Sequence, residues 1–179
     1  TYHFKYGYSR VKLLNRMKQA QDISINNVWK NKPKDFMLRN KSELLILASI
    51  IQREAKSFED SKLVASVFIN RLRKKMKLQS DVTLAFGLNI NGKYITKKML
   101  KSSHPFNTYF HTGLPPTPIS YPGKNALNAL KNIKNTNYFY FVADGKGGHR
   151  FSETYDFNLL GRFLALPTYK ISFFSFNIL

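Results

Sequence analysis

The stretch that decides the fold is residues 42–58, which read SELLILASIIQREAKSF. Ser42 is a candidate N-cap, and the pattern predicts a helix from Glu43 to about Lys56. Large apolar side chains recur at helical spacing and form one stripe: Leu44, Leu47, Ile50, Ile51 and Phe58. A helix with this stripe has to bury it against other elements, so we expect it to lie in the core.

One carboxylate falls on this stripe. Glu54 follows Ile50 by four residues and precedes Phe58 by four, near the predicted C-terminal end of the helix. Burial and the negative end of the helix dipole both favour the neutral form of a carboxyl group. A carboxylic acid that keeps its proton near neutral pH is what a general acid requires. The alternative is that Glu54 lies at the edge of the stripe and pairs with Lys or Arg; the spacing leaves both open.

A second helix is predicted to start near Asp60, which is a candidate cap. Its apolar face consists of Leu63, Val64, Val67, Phe68 and Leu72. Four cations crowd its C-terminal end: Arg71, Arg73, Lys74 and Lys75. They complement the helix dipole, which is a sufficient reason for their position. Contact with an anionic ligand is the alternative.

The composition and the predicted structure change after the second helix. Residues 79–123 hold five of the seven prolines, which predicts a long loop region of defined shape, followed by a short helix over about 125–131. Residues 138–143 and 149–152 predict two strands of a hairpin around a glycine-rich turn. The predicted class is α+β: a helical layer carrying Glu54, packed with a small antiparallel sheet and long structured loops.

Three segments are predicted along the chain. Residues 1–40 form a basic N-terminal lead-in, the remnant of an upstream region, 41–162 the domain that carries Glu54, and 163–179 an apolar, aromatic tail. No run of about 20 apolar residues and no signal peptide occurs. The chain opens on Thr1 rather than Met, so we expect a trimmed or partial chain.

Composition narrows the classes of function. The 29 Lys and Arg against 10 Asp and Glu give a formal charge of +19, which attracts polyanions such as nucleic acid or an anionic lipid surface. A nucleic-acid-binding module is therefore an alternative, although the cations are spread along the chain without a recognition motif. There is no cysteine, and the four histidines lack metal-ligand spacing, so we expect no metal site.

Several blocks, in order, resemble one known family. They are LASIIQREA at 47–55, VFINRL at 67–72, LQSDVT at 78–83, HPFNTY at 104–109, GLPPTPI at 113–119 and YFVADGKGGH at 140–149, with Phe151-Ser152 after the last. Together they are similar to the endolytic murein transglycosylases, the YceG-like family, over about residues 44–158. Five positions depart from the usual family residues: Val82, Phe86, Phe106, Tyr121 and Asn158. The resemblance implies that 41–162 is a YceG-like catalytic domain and that the membrane anchor usual in the family is absent from this chain.

The resemblance implies an enzyme that cuts peptidoglycan glycan strands between N-acetylmuramic acid and N-acetylglucosamine, leaving 1,6-anhydro ends. The family's catalytic Glu falls on Glu54, which helical spacing had marked independently. One carboxylate then serves as acid and as base, because the muramyl C6 hydroxyl is the nucleophile. A peptidoglycan-binding protein without activity is a further alternative.

The resemblance also implies supporting residues and a setting. The predicted substrate-binding residues are Gln79, Ser80, Asp81, Asn107, Thr108, Tyr109, His149 and Ser152. Loop scaffolding is the alternative for the first six, and an ordinary surface histidine is the alternative for His149. The implied partners are glycan strands, cell-wall synthesis proteins and an anionic membrane surface, with no cofactor and no metal. The implied location is the periplasmic face of a bacterial inner membrane.

Overall fold

The elements follow the predicted order, with additions. The computed structural model describes residues 3–156, so the tail predicted at 163–179 and the domain end predicted at 162 lie outside the described residues. The elements are α1 (Arg10–Lys30), α2 (Lys41–Glu54), α3 (Phe58–Arg73), α4 (Asp81–Gly87), a 3-10 turn (Gly92–Tyr94), α5 (Lys97–Leu100), α6 (Lys124–Lys131), β1 (Tyr140–Ala143) and β2 (His149–Ser152). This arrangement confirms the α+β class.

Helix α2 lies in the centre of the molecule. The four aliphatic residues of its predicted stripe, Leu44, Leu47, Ile50 and Ile51, are completely buried. Helices α1, α3, α4 and α6 all contact it. Because α2 is buried on most sides, its last residue, Glu54, has a fixed position in the molecule.

The predicted N-caps of α2 and α3 were wrong by two and three residues. Helix α2 is capped by Asn40 rather than Ser42, since Asn40 Oδ1 accepts the N–H of Glu43 at 2.9 Å. Helix α3 begins at Phe58 and is capped by Ser57, whose Oγ accepts the N–H of Asp60 at 3.1 Å. In both cases the capping residue has extended backbone angles, as the cap position requires.

The segment predicted as a lead-in contains α1, whose last turns contribute Ile25 and Val28 to the core. Helix α1 contacts both α2 and α6. Its first turns are exposed, with Val11 and Leu14 more than half accessible. The domain boundary predicted at residue 40 stays a prediction.

The region predicted as loop contains α4, the 3-10 turn and α5, so that prediction was wrong in part. Its proline-rich end is in contact with α2. The N–H of Ile119 donates to Ser49 Oγ at 2.9 Å, and the N–H of Gly123 donates to Gln52 Oε1 at 2.7 Å. These bonds fasten the loop along the turn of α2 that precedes Glu54.

The hairpin packs onto α3. Strands β1 and β2 are antiparallel, with Phe141 opposite Phe151, and β1 is two residues shorter than predicted. The ring of Phe141 meets that of Phe68 edge to face at 5.7 Å. Asn70 donates to the carbonyls of Thr136 and Tyr138, which fixes the approach to β1. The hairpin is thereby held against the helix that follows Glu54.

Within residues 3–156, no helix is both long enough and apolar enough to cross a membrane.

Candidate active site

Glu54 stands at the C-terminal end of α2 and is half-buried. Its Oε1 accepts a hydrogen bond from the hydroxyl of Ser80 at 2.5 Å. Ser80 occupies the cap position of α4 but makes no side-chain capping bond, because its hydroxyl donates to Glu54 instead. The contact joins two elements that are 26 residues apart in the chain.

The protonation of Glu54 is the distinctive property of this site. Burial raises its pKa to about 7, and the negative charge of Asp81 acts in the same direction. The Ser80 hydrogen bond and the charge on His149 oppose this rise. A carboxyl group whose pKa is raised to about 7 can both give and take a proton near neutral pH.

Asp81 and Tyr109 form the second contact of the site. The hydroxyl of Tyr109 donates to Asp81 Oδ1 at 2.6 Å, and both side chains are buried. Asp81 begins α4 directly after Ser80, so this bond anchors the start of α4 to the 104–111 loop. We call Glu54, Ser80, Asp81 and Tyr109 the Glu54 cluster.

Two further predicted residues frame this cluster. Thr108 is buried, and its Oγ1 accepts the N–H of Ser80 at 3.0 Å. The N–H of Gln79 donates to the carbonyl of Thr108 at 3.0 Å, and Gln79 itself has a left-handed backbone with φ of 50°. A non-glycine residue in that region carries backbone strain, which occurs often beside functional groups.

Asn107 is completely buried, and its amide donates to the carbonyls of Leu100 and Ser102 at 3.0 and 2.7 Å. These contacts, like those of Thr108, correspond to the loop-scaffolding alternative. Gly87 explains why the loop fits against α4: a Cβ at this position would lie 2.5 Å from the His104 ring and 2.7 Å from Phe106. The substrate-binding roles of Asn107 and Thr108 stay predictions.

His149 pairs with a residue that the sequence did not mark as functional. Its Nδ1 lies 2.8 Å from Asp60 Oδ2, and each side chain is only 9% exposed. The prediction of Asp60 as a helix cap was wrong, because Ser57 fills that position. An acidic residue in the first turn of a helix looks like a favourable dipole contact. Only its contact with His149, 89 residues further along the chain, distinguishes Asp60 from an ordinary acidic residue in a first helical turn.

Arg71 is the second residue whose position the sequence did not predict. Its guanidinium is almost fully buried and donates to the carbonyls of Phe139 at 2.6 Å and Leu78 at 2.9 Å. It also donates to Gln79 Oε1 at 3.2 Å, so it links the residue before β1 to the segment that leads into Ser80. Burial lowers the pKa of Arg71. Arg71 follows Val67 by four residues and Phe68 by three, so helical spacing could have indicated that it lies on the apolar face of α3.

Ser152 lies apart from these contacts. It is on the opposite face of β2 from His149 and Phe151, because side chains alternate along a strand. Its hydroxyl donates to the carbonyl of Thr154 at 3.0 Å. Its role in substrate binding stays a prediction. Over the described part of the chain, no group of three or more His, Asp and Glu side chains is arranged to hold a metal ion.

The fold and the cluster define a class of protein: an α+β domain with a half-buried glutamate of raised pKa at the end of its central helix. The YceG-like family matches residues 1–158 of this chain. The chain belongs to the YceG-like family.

Two relatives and one solved structure illustrate the match. An endolytic murein transglycosylase of Bacillus subtilis strain 168 is 37% identical over 135 residues, which are 74% of this chain and 38% of the relative. One from Streptococcus pneumoniae serotype 2 strain D39 is 31% identical over 150 residues, 80% of this chain and 27% of the relative. A YceG-like protein of Listeria monocytogenes superposes with a TM-score of 0.76 at 35% identity, covering 89% of this chain and 52% of that one. The chain thus spans between a quarter and two fifths of the length of these two curated relatives.

Proposed function

We propose that this chain is the catalytic part of an endolytic peptidoglycan transglycosylase, with Glu54 as its acid and base. The observation that carries the proposal is the buried Glu54 carboxyl, whose pKa is raised to about 7. The names of the relatives support the class of substrate, since both are murein transglycosylases.

The chemistry needs one carboxyl group that changes state during the reaction. Protonated Glu54 gives its proton to the glycosidic oxygen between N-acetylmuramic acid and N-acetylglucosamine, and the bond to the muramyl anomeric carbon breaks. The muramyl C6 hydroxyl then bonds to that carbon, and its proton goes to the Glu54 carboxylate. The products are a 1,6-anhydro end and a free hydroxyl, and the protonated acid is restored. Ordinary glycosidases need a second carboxylate as nucleophile or base, which the internal hydroxyl replaces.

Surface charge supports an acidic polymer as substrate. A depression of about 320 Å³ adjoins the end of α2, and its lining includes Gln52, Lys56 and Lys124. Peptidoglycan stem peptides carry carboxylates, which these cations attract. The same excess of positive charge supports contact with an anionic membrane surface. With peptidoglycan as substrate, the proposed location is the periplasmic face of the inner membrane, among proteins of cell-wall synthesis.

The test is to incubate purified peptidoglycan with the chain and with Glu54→Gln, and to analyse the fragments by mass spectrometry. The amide has nearly the shape of the acid but cannot transfer its proton, so we expect activity to fall by at least about 100-fold. Glu59→Gln is the matched control, since Glu59 is an exposed carboxylate five residues further on. We expect the parent and this control to produce anhydromuramyl ends.

Three outcomes would contradict the proposal. Hydrated reducing ends would indicate a hydrolase and direct attention to Asp81 as the second carboxylate. Equal activity of the parent and Glu54→Gln would remove Glu54 from the chemistry. Binding of the polymer without cleavage by the parent would indicate a binding module.

A further inference from the structure

The Asp60–His149 pair has no part in the mechanism above, although it lies at the same corner of the molecule. Glu54 ends α2, and Asp60 lies in the first turn of α3, six residues later. The hairpin brings His149 to this corner and holds its imidazole against the rings of Phe141 and Phe151, with centroids 5.0 and 6.1 Å away. The imidazole is thus enclosed on its apolar sides and bonded through one nitrogen.

The two ring nitrogens have different surroundings. Nδ1 bonds to Asp60 Oδ2 at 2.8 Å, whereas Nε2 has no hydrogen-bond partner within residues 3–156. An aspartate accepts hydrogen bonds, so a neutral imidazole beside it carries its proton on Nδ1. The second nitrogen then has a free lone pair. The side chain is 9% exposed, and this second nitrogen can accept a hydrogen bond from a ligand.

We propose that Asp60 is a positioning residue, which fixes the orientation and tautomer of His149 so that Nε2 accepts a hydrogen bond from a sugar hydroxyl of the bound glycan. This role rests on the proposed function, because the ligand is the glycan strand cut at Glu54. His149 orients the substrate, and Glu54 remains the group that transfers protons.

Charged groups from three elements surround this imidazole. Asp60 comes from α3, Glu54 from the end of α2, and Asp144 from the turn between the strands. Backbone hydrogen bonds from Lys146 and Gly148 lower the pKa of Asp144, and a protonated His149 acts in the same direction. A protonated His149 also opposes the rise in the pKa of Glu54. Any pH experiment on His149 therefore needs the kinetic pH profile of Glu54 beside it.

The first experiment reads the tautomer directly, without substrate. The chain has four histidines, so its long-range proton–nitrogen NMR spectrum contains the signals of four imidazoles. The signal that disappears in His149→Gln belongs to His149. At a pH where the ring is neutral, we expect a proton on Nδ1 and none on Nε2. In Asp60→Asn the new amide can donate to Nδ1, and we expect the proton to move to Nε2. Glu59→Gln is the matched control, since it removes a neighbouring exposed carboxylate.

The second experiment measures cleavage kinetics of a soluble fragment of alternating N-acetylglucosamine and N-acetylmuramic acid. We expect Asp60→Asn to lower kcat about tenfold or more, since the wrong tautomer offers a donor in place of an acceptor. A glutamine amide occupies the position of Nε2 and an asparagine amide that of Nδ1. His149→Gln is therefore expected to retain more activity than His149→Asn.

The results separate this inference from the proposed function. A proton on Nε2 in the parent chain, or an unchanged tautomer in Asp60→Asn, overturns the inference whether or not the chain cleaves glycan. Equal kcat for the parent and a folded Asp60→Asn also overturns it. A parent chain that gives the expected spectra but cleaves nothing contradicts the proposed function instead.

Discussion

At the scale of single residues, the ionisation of Glu54 is coupled to folding. In the unfolded chain its pKa is near the ordinary value of 4.5, and in the fold it is about 7. Between these values the folded state binds a proton that the unfolded state has lost, so stability decreases as pH rises through this window. Above pH 7 the cost is constant, at up to about 3 kcal/mol.

We therefore expect Glu54→Gln to be more stable than the parent chain at pH 8, by about 1 to 3 kcal/mol, and to have nearly equal stability at pH 4. Urea denaturation of both proteins across this range measures the difference. Glu59→Gln should show no such gain, because Glu59 is exposed and its ion pairs with Lys62 and Lys134 lie at the surface. A gain for Glu54→Gln that is independent of pH would contradict the raised pKa.

The sequence predicted Glu54 but not Asp60, for a physical reason. Glu54 breaks an apolar pattern, and the pattern is local to one helix. Asp60 fits the local pattern of a helix start, and the role proposed for it depends on His149, which lies in a hairpin 89 residues further along the chain. Likewise, the contact between Ser80 and Glu54 depends on how α4 is placed, which no local spacing records.

At the scale of elements, the end of α3 offers a direct test of backbone strain. The N–H of Met76 donates to the carbonyl of Arg71 at 2.8 Å, and that of Lys75 donates to the carbonyl of Leu72 at 3.0 Å. This is a Schellman motif, in which the residue after the C-cap adopts a left-handed backbone. Lys75 fills that position with φ of 55°, where glycine is the usual residue.

We expect Lys75→Gly to stabilise the protein by about 0.5 to 1 kcal/mol, because relief of the left-handed strain exceeds the added entropy of the unfolded chain. Lys74→Gly is the matched control: it removes the same charge one residue earlier, where φ is −88°. That variant should be less stable than the parent. Chemical denaturation at one pH compares the three proteins, and a loss of stability in Lys75→Gly would contradict the motif.

Elements were predicted well where their signal was periodic and less well where it depended on a cap. The apolar stripes placed α2 and α3, and the glycine-rich turn placed the hairpin. The caps were misplaced because Asn40, Ser42, Ser57 and Asp60 are all acceptable cap residues by type, and only backbone angles distinguish them. The short helices α4 and α5 have 7 and 4 residues, too few to show a period.

At the scale of the whole molecule, the class of fold followed from the order of its elements, but the position of α1 did not. Its buried residues Ile25 and Val28 occupy only its last turns, while apolar residues at its start are exposed. Residues 1–40 were predicted only as a basic lead-in, because their composition gives no sign of where burial begins.

The formal charge of +19 gives the last prediction, which concerns the effect of salt on stability. Surface ion pairs such as Arg39–Glu43 and Arg73–Asp35 are weakened by salt, and each contributes little to stability. Repulsion among the many remaining cations is greater in the folded chain than in the expanded one, and salt screens it as well. With 29 cations against 10 carboxylates, we expect repulsion to dominate. Raising NaCl from about 20 to 200 mM should then increase Tm by a few degrees, as measured by calorimetry. This corresponds to a rise of about 1 kcal/mol in the free energy of unfolding. A lower Tm at the higher salt concentration would mean that the ion pairs outweigh the repulsion.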